Sequence, residues 1–312
     1  MFYIALLRSS AFVIPLEIEP RGAGVFSDLV YQWIGANGQW ASIAAMVLLL
    51  IQGVYLNVIV AEHRLAPKVS LFPGLFYVFV CSLLPAFHYF SPVLMANTFF
   101  MVALGEIYGT HKRSKVAGRV FNIGFWVGIG SLFYPSFALF ILFGFAGLGI
   151  FRPFRIRERL MVIIGGLVPY FLLGTYYFWY DHLPWFLETV RGGFQFLDFV
   201  PTAAPLVYRS LGIMTVVLLV VLFSHRSYLL KQGMDVQRKI SVIYWGLFVS
   251  AATILVQSGV QLDHWLVVAV PVGILLSFNF IRMPARMAEV IHLLMLVVAL
   301  GLQFMPMLFP KG

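Results

Sequence analysis

Cysteine is almost absent from this 312-residue chain: Cys81 stands alone, which excludes an intramolecular disulfide and any cysteine-based zinc cluster. Charge is scarce too, at 11% of residues against roughly 25% in soluble domains. With 61% hydrophobic residues and a mean hydropathy of +0.93, an ordinary soluble enzyme, a disordered chain and a nucleic-acid binder are excluded, despite a net charge of +9. The chain also lacks the alternating ten-residue strands of a transmembrane barrel and carries continuous apolar runs such as 214–223 instead. Walker, dinucleotide and Ser-His-Asp patterns are missing. What is left is an all-α, polytopic bundle of membrane helices forming one integral domain, 1–312.

A bilayer core of about 30 Å takes roughly 20 helical residues, fewer where ends snorkel. Apolar runs between charged punctuation predict eleven spans, near 2–16, 41–61, 70–87, 91–108, 120–134, 135–151, 160–180, 206–223, 240–259, 264–280 and 288–308. With the N-terminus in the cytoplasm, the inner loops are 62–69, 109–119, 152–159, 224–239 and 281–287. They hold 16 of the 21 Lys and Arg residues, the positive-inside signature of a multi-pass protein of a bacterial inner membrane. Topology thus accounts for the basic balance. Seven of the twelve acids fall on the outer side: Glu17, Glu19, Asp28, Asp181, Glu188, Asp198 and Asp263. Solvated loops or a carboxylate-lined outer cavity both account for them.

Several local features stand out. The first apolar stretch, 1–16, is short and holds Arg8 at its middle, where a charge is costly and marks a functional hypothesis. It has no basic leader and no cleavage site, and reads as a helix that begins upstream of this sequence. In the outer loop 17–40, Phe26, Leu29, Val30, Trp33 and Ile34 recur at helical spacing opposite Asp28 and Gln32, which predicts a short interfacial helix. A second outer loop, 181–205, mixes Trp185, Phe186, Phe194 and Phe196 with charged residues. At Tyr134-Pro135 the chain turns between Gly-rich helices, either as two thin spans or as one re-entrant hairpin. Gly124/Gly128 and Gly165/Gly166 read as packing sites. Glu106, near an inner end, pairs with Lys112 or Arg113 or snorkels. The polar residues Gln52, Asn57, Asn97, Asn122, Gln257 and Asn279 either line a path or hydrogen-bond between helices. Glu289 and His292 have the i, i+3 spacing of di-iron bundles, but no second copy exists, so a helix-end role near Arg286 is the plainer account.

Residues 40–180 resemble an uncharacterised family of Bacteroidetes inner-membrane proteins. The stretches are Ser91-Pro92-Val93-Leu94-Met95-Ala96-Asn97-Thr98-Phe99, Val120-Phe121-Asn122-Ile123-Gly124-Phe125 and Ser131-Leu132-Phe133-Tyr134-Pro135. The order of features also resembles the membrane module of the GT-C glycosyltransferases, which take sugars from polyprenyl-phosphate donors. The corresponding positions are Leu6-Leu7-Arg8, the loop with Glu17, Glu19 and Asp28, Ser91-Pro92, the Gly128 to Pro135 stretch, Arg152 to Arg159, and Leu167-Val168-Pro169-Tyr170. The usual Asp-Glu pair is absent, Asn97 stands where an acid is often found, and Tyr134 replaces the usual Lys.

This resemblance implies a protein that handles a lipid-linked saccharide at the outer face, with an inverting glycosyltransferase as the sharpest version. A carboxylate among Asp28, Glu19 and Glu17 then serves as base, removing the acceptor's proton as the new bond forms, with Asp28 preferred. Arg8, Arg191 and Arg209 are the candidate phosphate partners, and Asp181, His182 and Asp198 the candidates to support the acceptor or a metal. A divalent cation is an option for compensating the departing phosphate; no cofactor is required by the sequence. Expected partners are membrane lipids and a lipid-linked saccharide, not nucleic acid. A degenerate lipid-binding relative, a transporter and a structural envelope subunit are the alternatives. Transport would depend on mid-span polar groups such as Asn57, Asn97 and Gln257.

Overall fold

The computed structural model describes residues 2–13, 23–193, 205–225, 228, 232–256 and 262–308, and all secondary structure among them is helical. In chain order the helices are α1 (Phe2–Leu7), α2 (Ser10–Val13), α3 (Val25–Ile34), α4 (Gln39–Glu62), α5 (Phe72–Val80), α6 (Pro92–Gly109) and α7 (Ala117–Phe133). They continue with α8 (Phe140–Phe151), α9 (Ile156–Trp179), α10 (Leu183–Gly192), α11 (Pro205–Phe223), α12 (Met234–Ile254), α13 (Ala269–Arg282) and α14 (Ala285–Leu308). Three 3₁₀ segments, Pro85–Phe87, Pro135–Leu139 and Leu262–Val268, sit between them.

Helix falls within each of the eleven predicted stretches. Among the described residues, five segments are long and apolar enough to cross a bilayer by themselves: Gln39–Glu62, Pro92–Gly109, Ile156–Trp179, Leu262–Arg282 and Ala285–Phe304. The protein is a multi-pass membrane protein. The expected 70–87 span is helical only over Phe72–Val80, a rise of about 13 Å. Pro85 stops it: the residue before a proline is driven out of the α region, and Leu84 is extended at φ −113°. Residues 81–91 therefore run without α-helix, broken only by the 3₁₀ turn at Pro85–Phe87.

Burial sorts the helices. Most of Leu262–Arg282 is enclosed (83%), whereas only 17% of α9 and of α14 is covered, and Ile164, Leu167, Phe171 and Leu293 face outwards. Exposed aliphatic surface on that scale is what a lipid-facing helix presents. Between helices, apolar drive is weak in a bilayer, so close backbone approach matters more. The α7–α9 seam shows it: a Cβ on Gly124 would lie 1.9 Å from the Val162 carbonyl oxygen, and one on Gly165 2.3 Å from that of Phe121. The predicted packing role of these glycines follows from that contact.

Polar side chains inside the bundle are consumed by the fold. Gln52 donates to the Leu94 carbonyl (2.7 Å) and Thr98 (2.8 Å) and accepts from Tyr77; Asn57 accepts from the Gly74 amide; Asn97 donates to the Leu266 carbonyl. Asn279 donates to the Tyr228 hydroxyl. Glu106 pairs with Arg119 (3.0 Å) and accepts from Asn122, not with Lys112 or Arg113, because α7 runs alongside α6 and brings Arg119 back to it. Gln257 lies outside the described residues.

The two ends of the bundle differ in charge. At one end Lys112 pairs with Asp235, Arg152 donates to the Arg113 carbonyl and grips Glu158 with two nitrogens, and Lys239 donates to the His63 carbonyl. The basic loops thus meet on one face. Asp28, Asp181, Glu188 and Asp263 belong to the opposite end, where α3, α10 and the Leu262–Val268 segment lie.

Candidate functional site at the acidic end

Helix α3 is the short helix that the 25–34 periodicity predicts, with Asp28 in its first turn, where a carboxylate complements the helix dipole. Its amino-terminal half is fixed to the end of α7: the Gly24 amide (2.8 Å) and the Ser27 hydroxyl (2.9 Å) both donate to the Phe133 carbonyl. Gly24 is needed for the approach, because a Cβ there would lie 2.2 Å from the Leu132 carbonyl oxygen. Its carboxy-terminal half is held by the Tyr31 hydroxyl, which donates to the Phe90 carbonyl at 2.8 Å. Leu29, Trp33 and Ile34 stay exposed, an apolar edge suited to the membrane boundary. Asp28 is partly buried, and that burial pushes its carboxyl above the ordinary carboxylate range.

Above α3 lies α10. Asp181 takes a left-handed backbone conformation (φ 58°) that turns the chain sharply out of α9, and Phe186 then packs with Val25 and Leu132. Tyr177 stacks on Phe186 at 5.4 Å and lies within electrostatic reach of Asp28. Between α9 and α10 runs a crevice of about 500 Å³ with an almost wholly apolar lining, including Leu167, Phe171, Phe178, Leu187 and Val190. A second, more polar hollow on α10 is bordered by Glu188 and Arg191.

The predicted site residues are scattered over this end. Asp28 is on α3; Asp181, His182 and Arg191 are exposed around α10, and no hydrogen bond joins them to Asp28. Arg8 is elsewhere and fully enclosed (1% exposed), its guanidinium donating to the carbonyls of Phe87 (2.8 Å), His88 (2.9 Å) and Cys81 (3.2 Å). There it solvates the main chain that α5 leaves unpaired. Arg209 lies on α11, but its side chain, like Glu17, Glu19 and Asp198 altogether, is outside the described residues. Among the described residues no group of three His, Cys, Asp or Glu side chains is arranged to hold a metal. His292, of the Glu289/His292 pair, instead meets the Tyr3 hydroxyl at 2.9 Å.

One group was not singled out from the sequence. Asp263, 2% exposed, accepts a 2.5 Å hydrogen bond from Tyr89, and the Tyr31 and Tyr134 hydroxyls lie within its electrostatic reach. The neighbouring His264 ring stacks on Tyr134 at 5.6 Å. The signal available was an acid set directly against a long apolar run, Leu262 to Leu276, instead of within a polar loop.

Against known proteins, no family model matches the chain, and no curated protein does. The resemblance to the Bacteroidetes family therefore rests on its quoted motifs. Two solved structures match: ArnT from Cupriavidus metallidurans bound to undecaprenyl phosphate, and the same protein in its apo state. Each aligns with 99% of this chain at 15% identity and a TM-score of 0.57. The chain spans 60% of the length of those structures. ArnT is a GT-C glycosyltransferase, so the likeness is one of fold and agrees with the GT-C-like order of features.

Proposed function

We propose that this protein handles a lipid-linked saccharide at the extracytoplasmic face of a bacterial inner membrane, as an inverting, polyprenyl-phosphate-sugar-dependent glycosyltransferase. The observation that carries this reading is a partly buried carboxylate, Asp28, on a short helix packed against α10, which borders an apolar crevice, in a chain whose whole length follows the ArnT fold. On this reading the N-terminus is cytoplasmic, all eleven stretches cross or enter the membrane, and the acidic end faces outwards. The crevice between α9 and α10 accepts the polyprenyl chain from the bilayer, and Arg191, in the more polar hollow that shares Leu183 and Leu187 with it, receives the phosphate.

The acceptor hydroxyl attacks the anomeric carbon as Asp28 takes its proton. The bond from that carbon to the phosphate oxygen breaks, and the electron pair leaves with the lipid phosphate. Burial suits Asp28 to this work, since a carboxylate with a raised pKa is a stronger base. Glu17 and Glu19 remain candidates for the same role, and Asp181 and His182 for holding the acceptor or a divalent ion. Transport is less favoured, because Asn57 and Asn97, on which it would depend, are occupied in interhelical hydrogen bonds.

The test is sugar transfer from a polyprenyl-phosphate donor in proteoliposomes, with Asp28→Asn, Glu17→Gln and Glu19→Gln assayed separately at matched protein abundance. Loss of transfer in Asp28→Asn, with abundance kept, is expected. Wild-type transfer in all three variants defeats the carboxylate-base mechanism.

A further inference from the structure

We propose that Asp263 is a positioning residue for the site: through Tyr89 it fixes residues 87–91, and through Phe90 it fixes α3, the helix that bears Asp28. This inference rests on the reading of Asp28 given above. It adds a residue, 235 positions further along the chain, to which that reading assigns no role.

Residues 87–91 have no regular helix between the Pro85–Phe87 turn and the start of α6, so side chains must hold them. The Tyr89 hydroxyl donates to Asp263 and the Phe90 carbonyl accepts from Tyr31, so consecutive residues join two distant elements. Asp263 itself is held firmly. It lies on a 3₁₀ segment that leads into buried α13, and the Leu266 carbonyl on the same segment accepts from Asn97 of α6. A buried carboxylate bound by one phenol is a strong, directional anchor, because the charge-assisted bond is worth more than a neutral one and the alternative is an unsatisfied charge.

Helix α3 has few other hydrogen bonds to the bundle, although Val25, Phe26 and Val30 pack against it. Gly24 and Ser27 secure its first turn on Phe133, and Tyr31 is the side chain that bonds its last turn to the bundle. Asp28 and Tyr31 are three residues apart and share a face. Loss of the Phe90 anchor leaves α3 held only through its first turn, and the helix beyond Ser27, with Asp28 at its start, loses its fixed position.

Three variants, with Tyr89→Phe alone as a reference, and two readouts test this. Asp263→Asn keeps an acceptor oxygen for Tyr89, Tyr89→Phe combined with Asp263→Leu removes both buried partners, and Tyr31→Phe cuts the last link directly. Hydrogen exchange of the α3 amides is read in the whole protein, together with transfer per folded molecule, with Asp28→Asn in parallel. In the double variant, stability recovers relative to Tyr89→Phe alone, since no buried group is left unpaired. The α3 amides nevertheless exchange roughly tenfold faster, as for one hydrogen bond lost, and transfer stays low. Tyr31→Phe gives the same exchange, and Asp263→Asn falls between it and wild type.

A purely structural pair would instead return transfer together with stability, and α3 would be as protected as in wild type; that result overturns the proposal. Should the double variant fail to fold, wild-type α3 protection in both Asp263→Asn and Tyr31→Phe overturns it equally. Full activity in Asp28→Asn defeats the functional reading, and the exchange data still decide whether Asp263 holds α3.

Discussion

Gly124 offers the most direct test of how the bundle is held. In Gly124→Ala the new methyl would lie 1.9 Å from the Val162 carbonyl oxygen, whereas an ordinary C···O contact is about 3.3 Å. The helices must therefore part by about 1.4 Å at that level. The obstacle is main chain, which has no rotamer to yield, so the cost belongs at the upper end of the 1–3 kcal/mol typical of overpacking, about 2–3 kcal/mol. For a chain of this size that lowers the melting temperature by roughly 3–5 °C. The chain carries its own reporter: Cys81 is its single cysteine and is fully buried, so a thiol-reactive dye in detergent solution reads unfolding without further labelling. The control is Gly118→Ala on the same helix, where nothing lies within 4 Å of the added methyl. There the better helix propensity of alanine leaves stability unchanged or up by less than about 1 kcal/mol. If Gly124→Ala melts together with Gly118→Ala, the close α7–α9 seam is wrong.

Other expectations follow from the same contacts. Arg8→Met strands three carbonyls around Cys81–His88 that have no alternative donor, and should cost about 3 kcal/mol or more, seen as early Cys81 labelling on heating. Burial raises the Asp28 pKa and only the ionised form accepts a proton, so transfer should fall with decreasing pH through a midpoint above the usual ~3.9. A pH–rate profile whose acid limb is unmoved in Asp28→Asn contradicts this. Glu158→Gln, which loses the charged fork from Arg152, should destabilise by about 1.5–3 kcal/mol and speed proteolysis at 152–156. Asn97→Ala should destabilise by about 1–3 kcal/mol, read as a lower melting temperature, since its amide ties α6 to the buried Leu266 carbonyl.

Much of the architecture could be read from periodicity and punctuation. The helices, the amphipathic 25–34 segment and the glycine contacts of α7 and α9 all follow from spacing that a single helix displays on its own. What escaped depends on partners distant in the chain. Tyr89 and Asp263 are 174 residues apart, and neither has a local pattern that announces the other. Arg8 was conspicuous as a charge in an apolar run, but its partners are main-chain carbonyls, which no residue type marks. Glu106 is followed by four Lys and Arg residues within thirteen positions, and only the course of α7 beside α6 selects Arg119. The early end of α5 was written at Pro85, yet hydropathy runs on through it and masks the break.

That break has a further consequence. With α5 ending after nine residues, the stretch up to Ser91 is left without α-helix and yet is almost wholly buried. Such a stretch cannot close all its own main-chain hydrogen bonds, so its course is set by side chains brought to it from both ends of the sequence, Arg8 and Asp263.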